Sequence, residues 1–211
     1  LKKHILPISI ILLSIGLWLF NFGELPKEIP THWGVNGEIN DYSSKLTAFL
    51  ELHVVMFFLY LLLNITPKID PRKNNYKYFS KSYYQVTISL LILFFFINTS
   101  ILFYGLGYNF PIGKLVFLFI GFIFMVLGNY LSQIRSNFFI GIRTPWTLSN
   151  ENVWKKTHRF SGKLFFFAGL CMVLLYFFPI SLGKYIIIPL IVIIVILPIL
   201  YSYIQFRKEL K

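Results

Sequence analysis

Apolar residues in this chain neither alternate nor gather into the narrow stripe of a soluble amphipathic helix. They run on for about twenty positions at a time, the length that carries an α-helix across a bilayer. Six windows qualify: 5–22, 46–65, 86–106, 115–134, 164–182 and 185–204. A spanning β-barrel would instead show alternating segments of about ten residues, so these continuous runs point away from it. The pattern predicts an all-α polytopic membrane bundle of six transmembrane helices, forming a single membrane domain over 1–211. Its N-terminal region is 1–66, a connecting region with the third helix is 67–114, and a C-terminal region is 115–211. The second window is the least apolar, because Glu51 and His53 fall in its first turns.

Two polar interruptions are more elaborate than a turn requires. The first, 24–45, reads ELPKEIPTHWGVNGEINDYSSK. Pro26 and Pro30 disfavour a helix and fit an extended start, and Asn36-Gly37 fits a type I′ turn between short extended runs. The expectation is a small hairpin displaying His32 and Trp33, with Trp33 either an interfacial anchor or a recognition residue. The second, 135–163, contains FIGIRTPWTLSNENVWKKTHRFSG over 139–162. Gly141 and Pro145 break the chain, and Trp146 can rest at headgroup level. Ser149 is the candidate N-cap of a short helix over 150–161, with Asn150 and Glu151 suited to its first turn. Helical spacing places Val153, Trp154, Thr157 and Phe160 on one stripe, and Lys155, Lys156, Arg159 and Lys163 on another face. An amphipathic helix lying on an anionic leaflet has that pattern.

Composition sharpens the class. A mean hydropathy of +0.68 and 13% charged residues lie outside the range of a soluble domain. A net charge of +12 could suggest nucleic acid, but its distribution does not. With the N-terminus inside, 16 of the 20 basic residues fall in inner segments, leaving only Lys27, Lys45, Lys114 and Lys184 outside. The positive-inside rule then assigns both termini to the cytoplasm, and the excess charge to lipid headgroups rather than to nucleic acid. Lys2-Lys3 before an apolar run resembles a signal peptide, but no small-residue cleavage site follows Phe22, so the expectation is an uncleaved first helix.

Candidate chemistry is sparse. Cys171 is the single cysteine. The chain has no zinc-protease motif, nucleophile elbow or phosphate-binding glycine loop. The expectation is therefore a non-enzyme with no catalytic residue, metal or cofactor. His32, Glu51 and His53 could meet on the outer side, but their spacing is no recognised ligand pattern. Glu51 and His53 either serve a ligand, as intramembrane ionisable residues often do, or face the bundle or outer water and bond loop backbone. Gly121 and Gly128, and likewise Gly162 and Gly169, lie seven apart, which predicts that the fourth and fifth spans pack closely.

The run GIRTPWTLSNENVWKKTHRFSG, 141–162, resembles the signature of the SdpI/YfhL family of bacterial membrane proteins. The segment LPKEIPTHWGVNGEINDYSSK, 25–45, is similar to the N-terminal domain that commonly precedes that signature. The resemblance implies a multi-pass protein of the bacterial cytoplasmic membrane that gives immunity to a secreted peptide toxin. For some members it also implies signalling to a cytoplasmic transcriptional repressor. It transfers no catalytic residue. On this reading the outer residues His32, Trp33, Glu51 and His53 meet toxin. The inner loop, with Arg143, Thr144, Pro145, Trp146, Asn150, Trp154, His158 and Arg159, serves as a hinge or docking site. A transporter of small solutes or lipids, or a receptor without immunity, remains as an alternative.

Overall fold

The computed structural model describes residues 2–34 and 37–210. Its helices are α1 (Lys2–Asn21), α2 (Lys45–Ile69), α3 (Ser80–Gly105), α4 (Ile112–Leu131), α5 (Pro145–Ser149), α6 (Glu151–Leu175) and α7 (Ile180–Glu209), with strands β1 (Glu28–Trp33) and β2 (Ile39–Ser44). Among the described residues, six helices are long and apolar enough to cross a membrane; only the five-residue α5 is not. The chain is thus an all-α membrane bundle carrying one small hairpin.

The bundle consists of two three-helix sets, α1–α2–α3 and α4–α6–α7, joined where α3 packs on α4. In the first set, Trp18, Ala48, Ile101 and Leu102 form a core that also receives Leu25 and Ile29, which seats the hairpin on the helix ends. Pro67 deprives α2 of one amide, and the carbonyl one turn back, Leu63 O, instead accepts the Tyr83 hydroxyl of α3 at 2.5 Å. A proline that weakens one helix therefore ties two together. Pro71 ends α2 by pushing Asp70 into extended geometry (φ −64°, ψ 128°), and a 3₁₀ turn over Lys73–Tyr78 leads into α3.

The second set is held by backbone proximity. A Cβ added at Gly128 would lie 2.5 Å from Phe166 N and 2.6 Å from Gly162 O; one at Gly121 would lie 2.7 Å from Gly169 O. Gly169 faces α4 with equally little room, and a Cβ at Gly162 would meet Gly128 O at 2.8 Å. Water does not drive helices together inside a bilayer, so such contact maximises dispersion where it is the main attraction available.

Three sequence expectations need correction. The segment 150–161 is helical but is not a separate surface helix: α6 runs unbroken through it into the apolar span. Its stripe is buried rather than laid on lipid, because Val153, Trp154 and Thr157 are fully enclosed and Phe160 stacks on Tyr201 of α7 at 4.3 Å. The cap is Asn150 rather than Ser149, its side chain accepting from the Asn152 and Val153 amides at 2.8 and 3.1 Å. In the hairpin, the Gly37 amide donates to Gly34 O and the Gly34 amide to Glu38 O, both at 2.8 Å, with Gly37 at φ 84°. That is one residue earlier than a type I′ turn centred on Asn36-Gly37 would close; Asn36 itself lies outside the described residues.

Candidate functional site

The polar loop between α4 and α6 folds around two aromatic side chains of α6. Trp154 donates its indole N–H to Ile134 O at 2.7 Å and stacks on His158 at 4.0 Å. His158 Nδ1 lies 2.8 Å from Trp154 O, and its Nε2 accepts the Ile142 amide at 3.1 Å. A carbonyl partner at Nδ1 and an amide partner at Nε2 fix the neutral tautomer with its proton on Nδ1. The chain can turn above this ring only because residue 141 is glycine. It has φ 101°, and a Cβ there would run into His158 Nε2. Gly141→Ala should therefore lower stability by about 2 kcal/mol or more, from strain and collision together. A thermal midpoint equal to that of the parent would refute this.

The next turn secures the loop to α7. Thr144 caps α5 through the Thr147 amide at 3.2 Å, the Thr147 hydroxyl donates to Ile142 O at 2.8 Å, and Thr144 Oγ1 meets Ser202 Oγ at 3.0 Å. Pro145 occupies the first turn of α5, where its missing amide costs nothing. Trp146 rests against Tyr203 at 5.1 Å. Of the loop residues singled out by sequence, Thr144, Trp154 and His158 are thus interior. Arg143, Pro145 and Arg159 are exposed, and Trp146 and Asn150 lie between.

A second centre at this end was not singled out by sequence. Asp70, 2% exposed, accepts the Arg72 amide at 2.6 Å, the Phe138 amide at 2.9 Å and the Tyr76 hydroxyl at 3.0 Å. None of these three donors is a charged side chain. Burial, reinforced by the hydrogen bond to Asp70 and its charge, pushes the Tyr76 hydroxyl far above the usual tyrosine range. It therefore remains a donor. Arg72 reaches over to Ser136 Oγ and, at 3.0 Å, to Leu148 O, and the Asn75 side chain donates to Ser136 O at 2.7 Å. Asn137 Oδ1 accepts the Phe139 and Ile140 amides at 2.9 and 2.7 Å, and Arg143 donates to Phe138 O. Together they form a latch between the α2–α3 connection and the signature loop, that is, between the two three-helix sets. One signal was present in the sequence: Asp70 is the single acidic residue between Glu51 and Glu151.

At the opposite, hairpin end, His32 is exposed with Nδ1 2.6 Å from Asn40 Oδ1. Trp33 is half-buried, edge-on to Tyr104 at 5.8 Å. A cleft of about 430 Å³ opens beside them, walled by Trp33, Tyr104, Phe110, Lys114 and Ile180. Glu51 is exposed on α2. His53 is not on that surface: it is buried, with Nδ1 2.8 Å from Phe49 O and Nε2 3.0 Å from Ser14 Oγ. Ser14 in turn accepts from Asn98 at 3.3 Å, and Trp18 donates to Asn98 O at 3.2 Å. His53 therefore belongs to an interhelical polar cluster rather than pairing with Glu51.

The profile described as the SdpI/YfhL protein family matches residues 133–202, which hold the signature loop, α6 and most of α7. A domain of unknown function (DUF1648) matches residues 9–61, which hold the hairpin with parts of α1 and α2. The chain is 33% identical to the protein called Immunity protein SdpI from Bacillus subtilis (strain 168), over 99% of this chain and 98% of that relative. No solved structure matches. With both profiles in order and similarity along its whole length, this chain belongs to the SdpI/YfhL family.

Proposed function

We propose that this chain is an immunity protein of the bacterial cytoplasmic membrane, protecting its host from a secreted antimicrobial peptide by binding rather than by chemistry. The carrying observation is its full-length similarity to a relative named for immunity. The positive-inside bias supports an orientation with the signature loop and both termini in the cytoplasm and the hairpin outside. On that orientation the cleft beside Trp33 is the surface an arriving peptide meets. Its aromatic walls suit apolar side chains, and the exposed His32 and Glu51 supply polar contacts at the same end of the bundle. The loop end, with exposed Arg143, is then positioned to report occupancy to a cytoplasmic partner such as a repressor.

The test is expression in a strain sensitive to a secreted antimicrobial peptide, followed by challenge. Survival should rise with the parent chain. Trp33→Ala should remove most of the gain at unchanged membrane abundance, since large aromatics in clefts dominate recognition energies. Survival no better than the empty vector, with insertion confirmed, would sink the immunity reading. With a promoter reporter that responds to the peptide in cells carrying the parent chain, Arg143→Ala should lose that response while protection stays intact; loss of protection as well would tie the loop to binding.

A further inference from the structure

Where α6 changes from charged to wholly apolar, a groove of about 530 Å³ runs between α4 and α6. Arg159 and Lys163, one turn apart on α6, form one rim; Asn129 and Ser132, at the end of α4, form the other. Toward the apolar part of α6 the groove is continued by Phe166 and Phe167, and Phe167 leaves 63% of its surface uncovered. The neighbouring cations are already engaged: Lys155 pairs with Glu151 at 3.7 Å and Lys156 with Glu209 at 2.8 Å. Among the described residues, Arg159 and Lys163 have no carboxylate within salt-bridge distance. Two uncompensated cations and two neutral hydrogen-bonding side chains thus lie directly beside an apolar wall.

From this juxtaposition we infer that the groove is a binding site for one anionic glycerophospholipid. The phosphate lies between Arg159 and Lys163, where a guanidinium and an ammonium both donate. Asn129 and Ser132 meet polar headgroup or glycerol oxygens, and an acyl chain covers Phe166 and Phe167. Free phosphate would use only the rim and leave the phenyl rings uncovered, so the apolar wall assigns the ligand to lipid. Basic pockets between membrane helices recognise headgroups in this way. The site is specific in that Lys155 and Lys156, equally close to the membrane surface in sequence, contribute nothing to it.

The experiment is native mass spectrometry of the detergent-solubilised full chain, titrated with phosphatidylglycerol or phosphatidylcholine of identical acyl chains. The parent should prefer phosphatidylglycerol by about tenfold. Arg159→Gln/Lys163→Gln should bring the two lipids to within about twofold. Lys155→Gln/Lys156→Gln, which removes the same charge from an adjacent face, should keep the parent's preference. Ser132→Glu retains both cations and places a carboxylate in the groove; it should also abolish the preference, and it decides the question if the double variant does not fold. Equal occupancy by the two lipids in the parent would overturn the site, as would equal loss in the Lys155/Lys156 control. Binding of glycerol phosphate as tight as that of the lipid would overturn its assignment to lipid.

Discussion

Isoleucine at Gly128 or at Gly169 is expected to prevent stable assembly of α4 with α6 and to remove most of the protein from the membrane. Overpacking a core with extra methylenes typically costs about 1–3 kcal/mol because flexible side chains can give way. Neither position offers that escape. The obstacles at Gly128 are Phe166 N at 2.5 Å and Gly162 O at 2.6 Å, and those at Gly169 are Gly121 O and the Met125 amide, all backbone atoms of the facing helix. The helices must separate, and with them the close dispersion contacts of the second three-helix set. Each substitution should cost about 3 kcal/mol or more, a large part of a typical folding stability. Gly16 in α1 is the internal control: nothing lies within 4 Å of a Cβ there, so Gly16→Ile should be near neutral. Thermal unfolding in detergent, together with membrane yield, reads both effects. Midpoints for the Gly128 and Gly169 variants that match the Gly16 control would contradict the backbone contact.

What could be seen in the sequence, and what could not, follows the range of the signals. Continuous apolar runs report the solvent around a helix, so six spans and the hairpin between the first two were legible from hydropathy, Pro30 and the region of Gly37. The glycines at 121, 128, 162 and 169 were legible because close helix contact leaves a local trace, the absence of side chains at a helical interval. The charged face of 150–161 misled for the same reason that it was visible. A stripe of Val153, Trp154 and Thr157 opposite lysines fits a surface helix equally well as the end of a span buried by a partner. Only contacts distant in sequence distinguish them: Trp154 packs among Tyr76, Phe79, Leu131 and Ile134, and Phe160 lies on Tyr201 of α7. His53 was visible as an ionisable residue, but its partner Ser14 lies 39 positions away on another helix, and no spacing rule connects them. Asp70 and Phe138, 68 positions apart, are joined in the same way.

That last pair carries the second large effect. Asp70→Ala should lower stability by about 3 kcal/mol or more and free the signature loop from the α2–α3 connection. The carboxylate satisfies the buried Tyr76 hydroxyl and the partly buried Arg72 and Phe138 amides, and a donor shut away from water without an acceptor costs about 1–3 kcal/mol, a partly buried one toward the low end. Asp70→Asn is not a rescue. The side-chain amide can accept through its oxygen, but its NH₂ would then face donors, and a backbone N–H cannot turn away as a hydroxyl can. Tyr76→Phe removes one donor together with its need for an acceptor, so it should cost only about 1 kcal/mol. The two changes should be non-additive, since the alanine variant has already lost the bond that the phenylalanine removes. Tyr76 also gives the pair a pH signature. Its hydroxyl is held above the ordinary tyrosine value in the folded chain, so its contribution is complete below about pH 10 and declines as the pH rises beyond it. Tyr76→Phe should lack that part of the alkaline decline. Hydrogen exchange locates the effect: the Phe138 amide should lose protection in Asp70→Ala, while amides of α4 and α6 facing the glycine contact keep theirs. Retained protection at Phe138 would mean that Asp70 does not hold the loop, whatever happens to the thermal midpoint.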